Sequence, residues 1–292
     1  MTDPERLDGE AVDGIRYEEP AEGVARIVLA RPEARNAQDK RMLYALNAAF
    51  DRAAHDDAVK VIVLAADGPH FSSGHDLRDT TTIDEFDPVG TWGGSTLPGS
   101  EGTMAIEQEI YLGFCWRWRN LPKPTIAQVQ GKTIAGGLML VWVCDLIVAS
   151  EDATFSDPVV AFGVNGVEYF AHPWEVGPRK AKEMLFTGDS LTAQEAKELG
   201  MINRITSADD LSDYTLQLAC RIARRPSMGL KLAKQSVNQA QDAQGFWTSL
   251  QAAMSLQQLG HAHNQQVHGI IVDPAGFEIV RAQAKRERDR DD

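Results

Sequence analysis

Apolar residues first gather at Val24–Ala30, a short β-branched run that predicts a strand. Arg31-Pro32-Glu33-Ala34-Arg35-Asn36 breaks it. From Asp39 to Ala54 the apolar positions are Met42, Leu43, Leu46, Ala49 and Phe50, the spacing of one helix face. Val61-Ile62-Val63-Leu64 is continuous and predicts a buried strand. No period holds across residues 79–103, where Thr80-Thr81-Thr82, Gly93-Gly94, Pro98 and Gly99 predict a mobile loop of the kind that covers a site. The next helix carries Tyr111, Phe114, Trp116 and Trp118, an aromatic stripe read as core packing. Thr125–Val129 and Leu146–Ala149 read as strands, and Gly136–Cys144 as a short apolar helix. Thr192-Ala193-Gln194-Glu195 has the capping-box pattern, with Gly200 as the stop for that helix. After Ser207 the spacing is helical throughout, through Leu211, Tyr214, Leu218 and Ile222 and then Met228, Leu232 and Val237. The pattern predicts an α/β fold with parallel pairing: a loose polar tail over 1–14, a core over 15–206, and a helical region over 207–292.

Composition acts mainly by exclusion. The 292 residues suffice for one large domain, or for a core with a helical appendage. The 29 basic and 42 acidic residues give a net charge of −13, a field that repels nucleic acid and anionic lipid. Cys115, Cys144 and Cys220 are odd in number and lack metal-ligand spacing, which reads as reduced thiols in a cytoplasmic protein. The polar, acidic stretch Met1–Glu10 does not read as a signal peptide. The apolar run Ile134–Val143 is too short to span a bilayer.

Four separated segments, in order, carry a more specific signal. They are Arg31-Pro32-Glu33-Ala34-Arg35-Asn36-Ala37; Phe71-Ser72-Ser73-Gly74-His75-Asp76-Leu77; Leu121-Pro122-Lys123-Pro124-Thr125-Ile126-Ala127, leading through Gly131 to Ala135-Gly136-Gly137 and Cys144-Asp145; and Leu185-Phe186-Thr187-Gly188-Asp189, leading to Leu191–Ala196 and Gly200–Arg204. Together, over roughly residues 20–240, they resemble the crotonase (enoyl-CoA hydratase/isomerase) superfamily. The resemblance implies a spiral of β-β-α turns followed by a helical trimerisation region, with trimers pairing into hexamers. It implies an acyl-CoA thioester as partner, coenzyme A as part of the substrate, and no tightly bound cofactor. Coenzyme A is itself an anion, so local basic groups and backbone N–H donors must overcome the global charge.

The residues can be read physically beside that resemblance. Enolate chemistry on a thioester needs two N–H donors aimed at its oxygen. The turn Ser73-Gly74-His75 and the helix start at Gly136 can each supply one. The resemblance places the donors on His75 and Gly136, and contacts to the CoA thioester at Arg35, Ser73, His75, Leu77 and Gly137. It also places hydratase glutamates at two positions where this chain has Met139 and Val159, which cannot transfer protons. Glu168, in the changed turn Gly166–Glu175, is the main replacement candidate, ahead of His172 and Asp157. A surface carboxylate at a helix start is the plainer account of Glu168, and a turn role that of Asp157. Asp76 and Asp145 read as loop fastenings. His261 and His268 share one face of a helix over 256–267 and His263 lies elsewhere, which reads as a solvated or intersubunit face. Two functions stay open: an enzyme with displaced acid/base groups, and an inactive protein of the same fold that binds CoA thioesters.

Overall fold

The computed structural model describes residues 10–291. The predicted tail therefore lies mostly outside the described residues. Its end is paired: Val12 bridges Ile15, and the Gly14 carbonyl accepts from the Ala30 amide at 2.7 Å.

Strands β1 (Ile15–Ala21) and β2 (Val24–Leu29) form an antiparallel hairpin. In β1 the alternation of buried Ile15 and Tyr17 with half-buried Arg16 and Glu18 matches a sheet that is dry on one face. Helix α1 (Lys40–His55) is capped by Asp39, which accepts from the Met42 amide at 2.8 Å. Strand β3 (Val61–Ala66) is buried at all six positions, as expected for a parallel strand covered on both faces. The segment from 79 is less irregular than its composition suggests. It includes a 3-10 turn at Ile83–Glu85, and the Glu109 carboxylate accepts from the amides of Val89 and Gly90 at 2.6 and 2.9 Å. Helix α2 (Ser100–Glu107) begins inside the stretch read as loop. It passes through a π-helical turn, Gln108–Gly113, into α3 (Phe114–Arg119).

Three strand-to-strand steps then repeat one spiral path. Strand β4 (Thr125–Val129) is followed by β5 (Lys132–Ile134) and α4 (Gly136–Trp142), and β6 (Leu146–Ser150) by β7 (Thr154–Ser156). After β3, Ser72 bridges Thr133 of β5 in the same manner. Helices α5 (His172–Glu175), α6 (Gly177–Thr187) and α7 (Ala193–Glu198), with β8 (Leu191–Thr192) and β9 (Arg204–Thr206), complete the core. The result is a six-stranded sheet in the order β1-β2-β3-β4-β6-β9, parallel from β2 onward, and a three-stranded sheet in the order β5-β7-β8.

Helix α8 (Leu211–Ala223) covers one face of the large sheet, with Leu211, Ala219 and Ala223 against Val61, Val63, Ile126 and Val148. Helices α9 (Ser227–Ala243), α10 (Phe246–His268) and α11 (Gly276–Asp291) follow. The aromatic stripe splits between two roles: Phe114 and Trp118 are core, whereas Tyr111 lines a cavity.

Candidate functional site

A cavity of about 310 Å³ lies between the 73–77 turn, α2, the 158–168 segment and α10. Most of its wall is apolar, from Leu77, Ile134, Val159, Phe162, Val167 and Ile271 among others. Ser73, His75 and Asp76 also line a polar mouth beside Glu33, Arg35 and Arg78, so the two spaces share one rim. Asp76 secures this rim through an ion pair with Arg31 at 3.2 Å. Exposed Arg35 lies on the mouth and exposed Leu77 on the cavity edge.

The turn and the helix start meet closely. Gly74 has φ +87°, and a Cβ there would fall 2.8 Å from the Ile134 carbonyl oxygen and 3.0 Å from the Gly136 amide nitrogen. The Gly74 carbonyl accepts from Gln38 at 2.8 Å, and the Asp76 amide donates to the Gln38 carbonyl at 2.9 Å. The His75 amide shares a trans peptide plane with the Gly74 carbonyl and so points the opposite way, off the Gln38 side. Gly136 is the first residue of α4, so its amide has no intrahelical acceptor. Gly137 does not line the cavity; its missing Cβ would fall 2.8 Å from the Ser72 carbonyl oxygen, which explains the glycine by packing.

The His75 ring lies over Gly136, where a Cβ would meet its Cε1 at 2.6 Å. It stacks on Tyr111 at 3.9 Å between centroids, and its Nε2 is 3.0 Å from the Glu168 carboxylate. Glu168 is 6% exposed and lines the cavity, so it is not a surface residue. With Glu168 ionised, Nε2–H of His75 donates to it. Burial, and the charges of Glu168 and Glu107, push the Tyr111 phenol well above its usual range, leaving it a neutral hydroxyl.

Asp157 and His172 are elsewhere. Both are fully buried, and neither lines the cavity. His172 Nε2 meets Asp157 Oδ2 at 2.8 Å, and the same carboxylate accepts from the amides of Val159 at 3.2 Å and Val167 at 3.0 Å. The ring packs against Trp142 and Phe170. The placement corrects their selection as acid/base candidates: the pair fastens the segment that carries Glu168. Met139 is buried in α4, and Val159 lies on the cavity wall, so neither position offers a titrating group.

Two residues emerge that sequence reasoning missed or misplaced. His261 is 6% exposed, faces the cavity, and lies 2.9 Å from Glu107. It does not belong to a solvated face, and His268 is separate, 3.8 Å from Asp273. Glu107 also lines the cavity and accepts from Gln258. Burial pushes its carboxyl up, the neighbouring His261 opposes this, and the Glu168 charge adds to it, for a net rise. Burial lowers the His261 imidazolium's hold on its proton, but Glu107 outweighs that and raises it. The available signal was an acidic residue set among Ile106, Ile110 and Tyr111 at helical spacing.

Comparisons with known proteins agree with this architecture. Residues 19–92 and 97–272 match the sequence profile of the enoyl-CoA hydratase/isomerase family. A Mycobacterium tuberculosis protein that bears the name putative enoyl-CoA hydratase EchA13 is 48% identical over 263 residues, which cover 87% of this chain and 83% of that one. The crystal structure of a probable enoyl-CoA hydratase from Mycobacterium smegmatis superposes with a TM-score of 0.81 at 48% identity, covering 89% of this chain and 98% of the other. An enoyl-CoA hydratase/isomerase from Xanthobacter autotrophicus Py2 gives 0.77 at 33% identity, covering 94% and 95%. With the spiral sheet and the four sequence segments, these matches lead to one conclusion: the chain belongs to the enoyl-CoA hydratase/isomerase family.

Proposed function

We propose that the protein binds an acyl-CoA thioester and moves a proton on its acyl chain, in a reaction of the hydratase or isomerase type. The thioester oxygen sits between the amides of His75 and Gly136, which stabilise the negative charge of an enolate. Arg35 and the neighbouring Arg78 at the polar mouth offset the charge of coenzyme A locally. Glu168 takes the acid/base role that carboxylates at Met139 and Val159 would otherwise fill. His75 has two parts in this scheme: its backbone amide binds the oxyanion, and its ring holds Glu168 in place.

The observation that carries the reading is the buried Glu168 carboxylate on the cavity wall, 3.0 Å from the ring of His75. Glu168→Gln keeps the shape and removes the titrating group. It is expected to lower kcat about 10²-fold or more on an acyl-CoA that the wild type turns over, with CoA affinity nearly unchanged. Full turnover in the variant would sink the role of Glu168. The side chains at 139 and 159 favour a second reading, a CoA-thioester-binding protein without catalysis. That reading predicts binding by titration calorimetry but no turnover of any acyl-CoA by the wild type.

A further inference from the structure

Glu168 with His75 is one of two glutamate–histidine pairs on the cavity wall. The other, Glu107 with His261, joins α2 to α10. Its protonation follows from geometry. The Nδ1 of His261 lies 2.7 Å from the Ile271 carbonyl oxygen, which can only accept, so Nδ1 carries a hydrogen. Nε2 lies 2.9 Å from the Glu107 carboxylate but has no hydrogen-bond partner among the described residues, and so close an approach is favourable only when one further proton sits on the pair. Whichever atom holds it, the pair has no net charge.

Beside it lies Gln257, 4% exposed and on the cavity wall, whose Oε1 is buried and has no partner among the described residues. A buried amide oxygen left unpaired is costly, and an entirely hydrocarbon ligand would leave it so. Asp76, Glu107 and Glu168 all line the cavity, and no lysine or arginine does among the described residues. A ligand carboxylate would therefore find no lysine or arginine to match it, since the Glu107–His261 pair is already neutral and Asp76 already holds Arg31.

We propose that Glu107, His261 and Gln257 form a subsite for an uncharged group that both donates and accepts a hydrogen bond, a hydroxyl carried on the acyl chain. The substrate class is then a hydroxylated acyl-CoA, in preference to a plain alkyl, a keto or a dicarboxylic one. The inference rests on the acyl-CoA reading above. The pair's proton, which no aligned bond between the two side chains holds, donates to the oxygen of a ligand hydroxyl, and that hydroxyl donates in turn to Gln257 Oε1. The apolar remainder of the wall takes the hydrocarbon, in the usual balance of a few polar anchors in an apolar pocket.

Titration calorimetry tests this with saturated thioesters, which lack the double bond for hydration or isomerisation. The set is octanoyl-CoA, its hydroxy and oxo positional isomers beyond the third carbon, and the mono-CoA thioester of octanedioic acid. At least one hydroxy isomer is expected to bind wild type about tenfold tighter than octanoyl-CoA, and both its oxo counterpart and the dicarboxylic thioester more weakly than that isomer. Gln257→Met and Glu107→Gln should each narrow the ratio to below about threefold. A pair serving only to pin α2 to α10 would change the melting temperature in Glu107→Gln and leave the ratio alone, and that result overturns the subsite. So does equal binding of all the thioesters by wild type, which leaves the acyl-CoA reading standing. Absence of binding by every thioester removes the acyl-CoA reading and the subsite with it.

Discussion

At Gly136 the missing side chain is a steric requirement of the site, because the space a Cβ would take is filled by the His75 ring. Gly136→Ala must push that ring away, and with it the contact to Glu168. Overpacking of this kind costs about 1–3 kcal/mol, a tolerable loss for a domain of this size. Displacing a proton-transfer group by about 1 Å can cost roughly 10²-fold in rate. The expected outcome is a folded protein with kcat/KM down by about two orders of magnitude, read by steady-state kinetics beside a urea melt. Unchanged kinetics would mean that the ring does not position the carboxylate. Asp79 supports a second prediction. Burial alone would raise its carboxyl, but the amides of Lys40 and Thr81 and the Lys40 ammonium bring it down to about 2. A folded value below the ordinary 3.8 means that the bound carboxylate stabilises the fold above that pH. The contribution fades as the pH falls through about 2. Urea midpoints followed from pH 5 down to pH 2 should drop more steeply in wild type than in Asp79→Asn. Parallel curves would show that Asp79 contributes nothing.

At the scale of elements, the segment between β7 and α5 depends on one buried pair. Asp157 accepts from two amides of that segment and from His172, with no exposure at either side chain. Breaking a buried pair by removing one partner costs about 3–5 kcal/mol. Asp157→Ala is expected to lose stability in that range and to lose activity too, because Glu168 directly follows Val167. Glu168→Gln, by contrast, should lose activity with little change in the urea midpoint. Similar midpoints for Asp157→Ala and wild type would refute the fastening role. The elements were readable from sequence where burial is one-sided or complete, as in α1 and β3, because apolar spacing reports burial directly. The meeting of the Gly74 turn with the α4 start was readable, since glycine placement betrays close approach of backbones. Polar groups buried against each other leave no such trace. His261 and Glu107 meet through pairing of α2 and α10, which apolar periodicity does not encode. Asp157 and His172 looked like chemistry for the same reason: a titratable pair has the same sequence signature whether it faces a cavity or a core.

At the scale of the molecule, α9 has its faces reversed. Its one buried residue is Lys234, which pairs with Asp145 at 2.9 Å and donates to the Lys123 carbonyl at 3.0 Å. Met228, Leu232 and Val237 are instead 61%, 49% and 64% exposed. Leu256, Leu259 and Val267 on α10 are exposed as well. A helix that turns a charge inward and an apolar stripe outward is expected to be covered by something outside its own chain. A second copy of this chain is the expected cover, in line with the trimeric or hexameric assembly that the sequence resemblance implies. Light scattering should then return a multiple of the 32.0 kDa chain mass. Met228→Lys with Val237→Lys should shift it toward that single mass without changing the fold, since neither side chain is in the core. The net charge of −13 adds a sign to the prediction. Like-charged copies repel, and salt screens that repulsion over about 8–10 Å at 0.1–0.15 M. Association should therefore strengthen as salt rises through this range, as expected for an apolar contact opposed by charge. Dissociation on adding salt would point to ion pairs as the adhesive, and a wild-type monomer at every concentration would refute the covered face altogether.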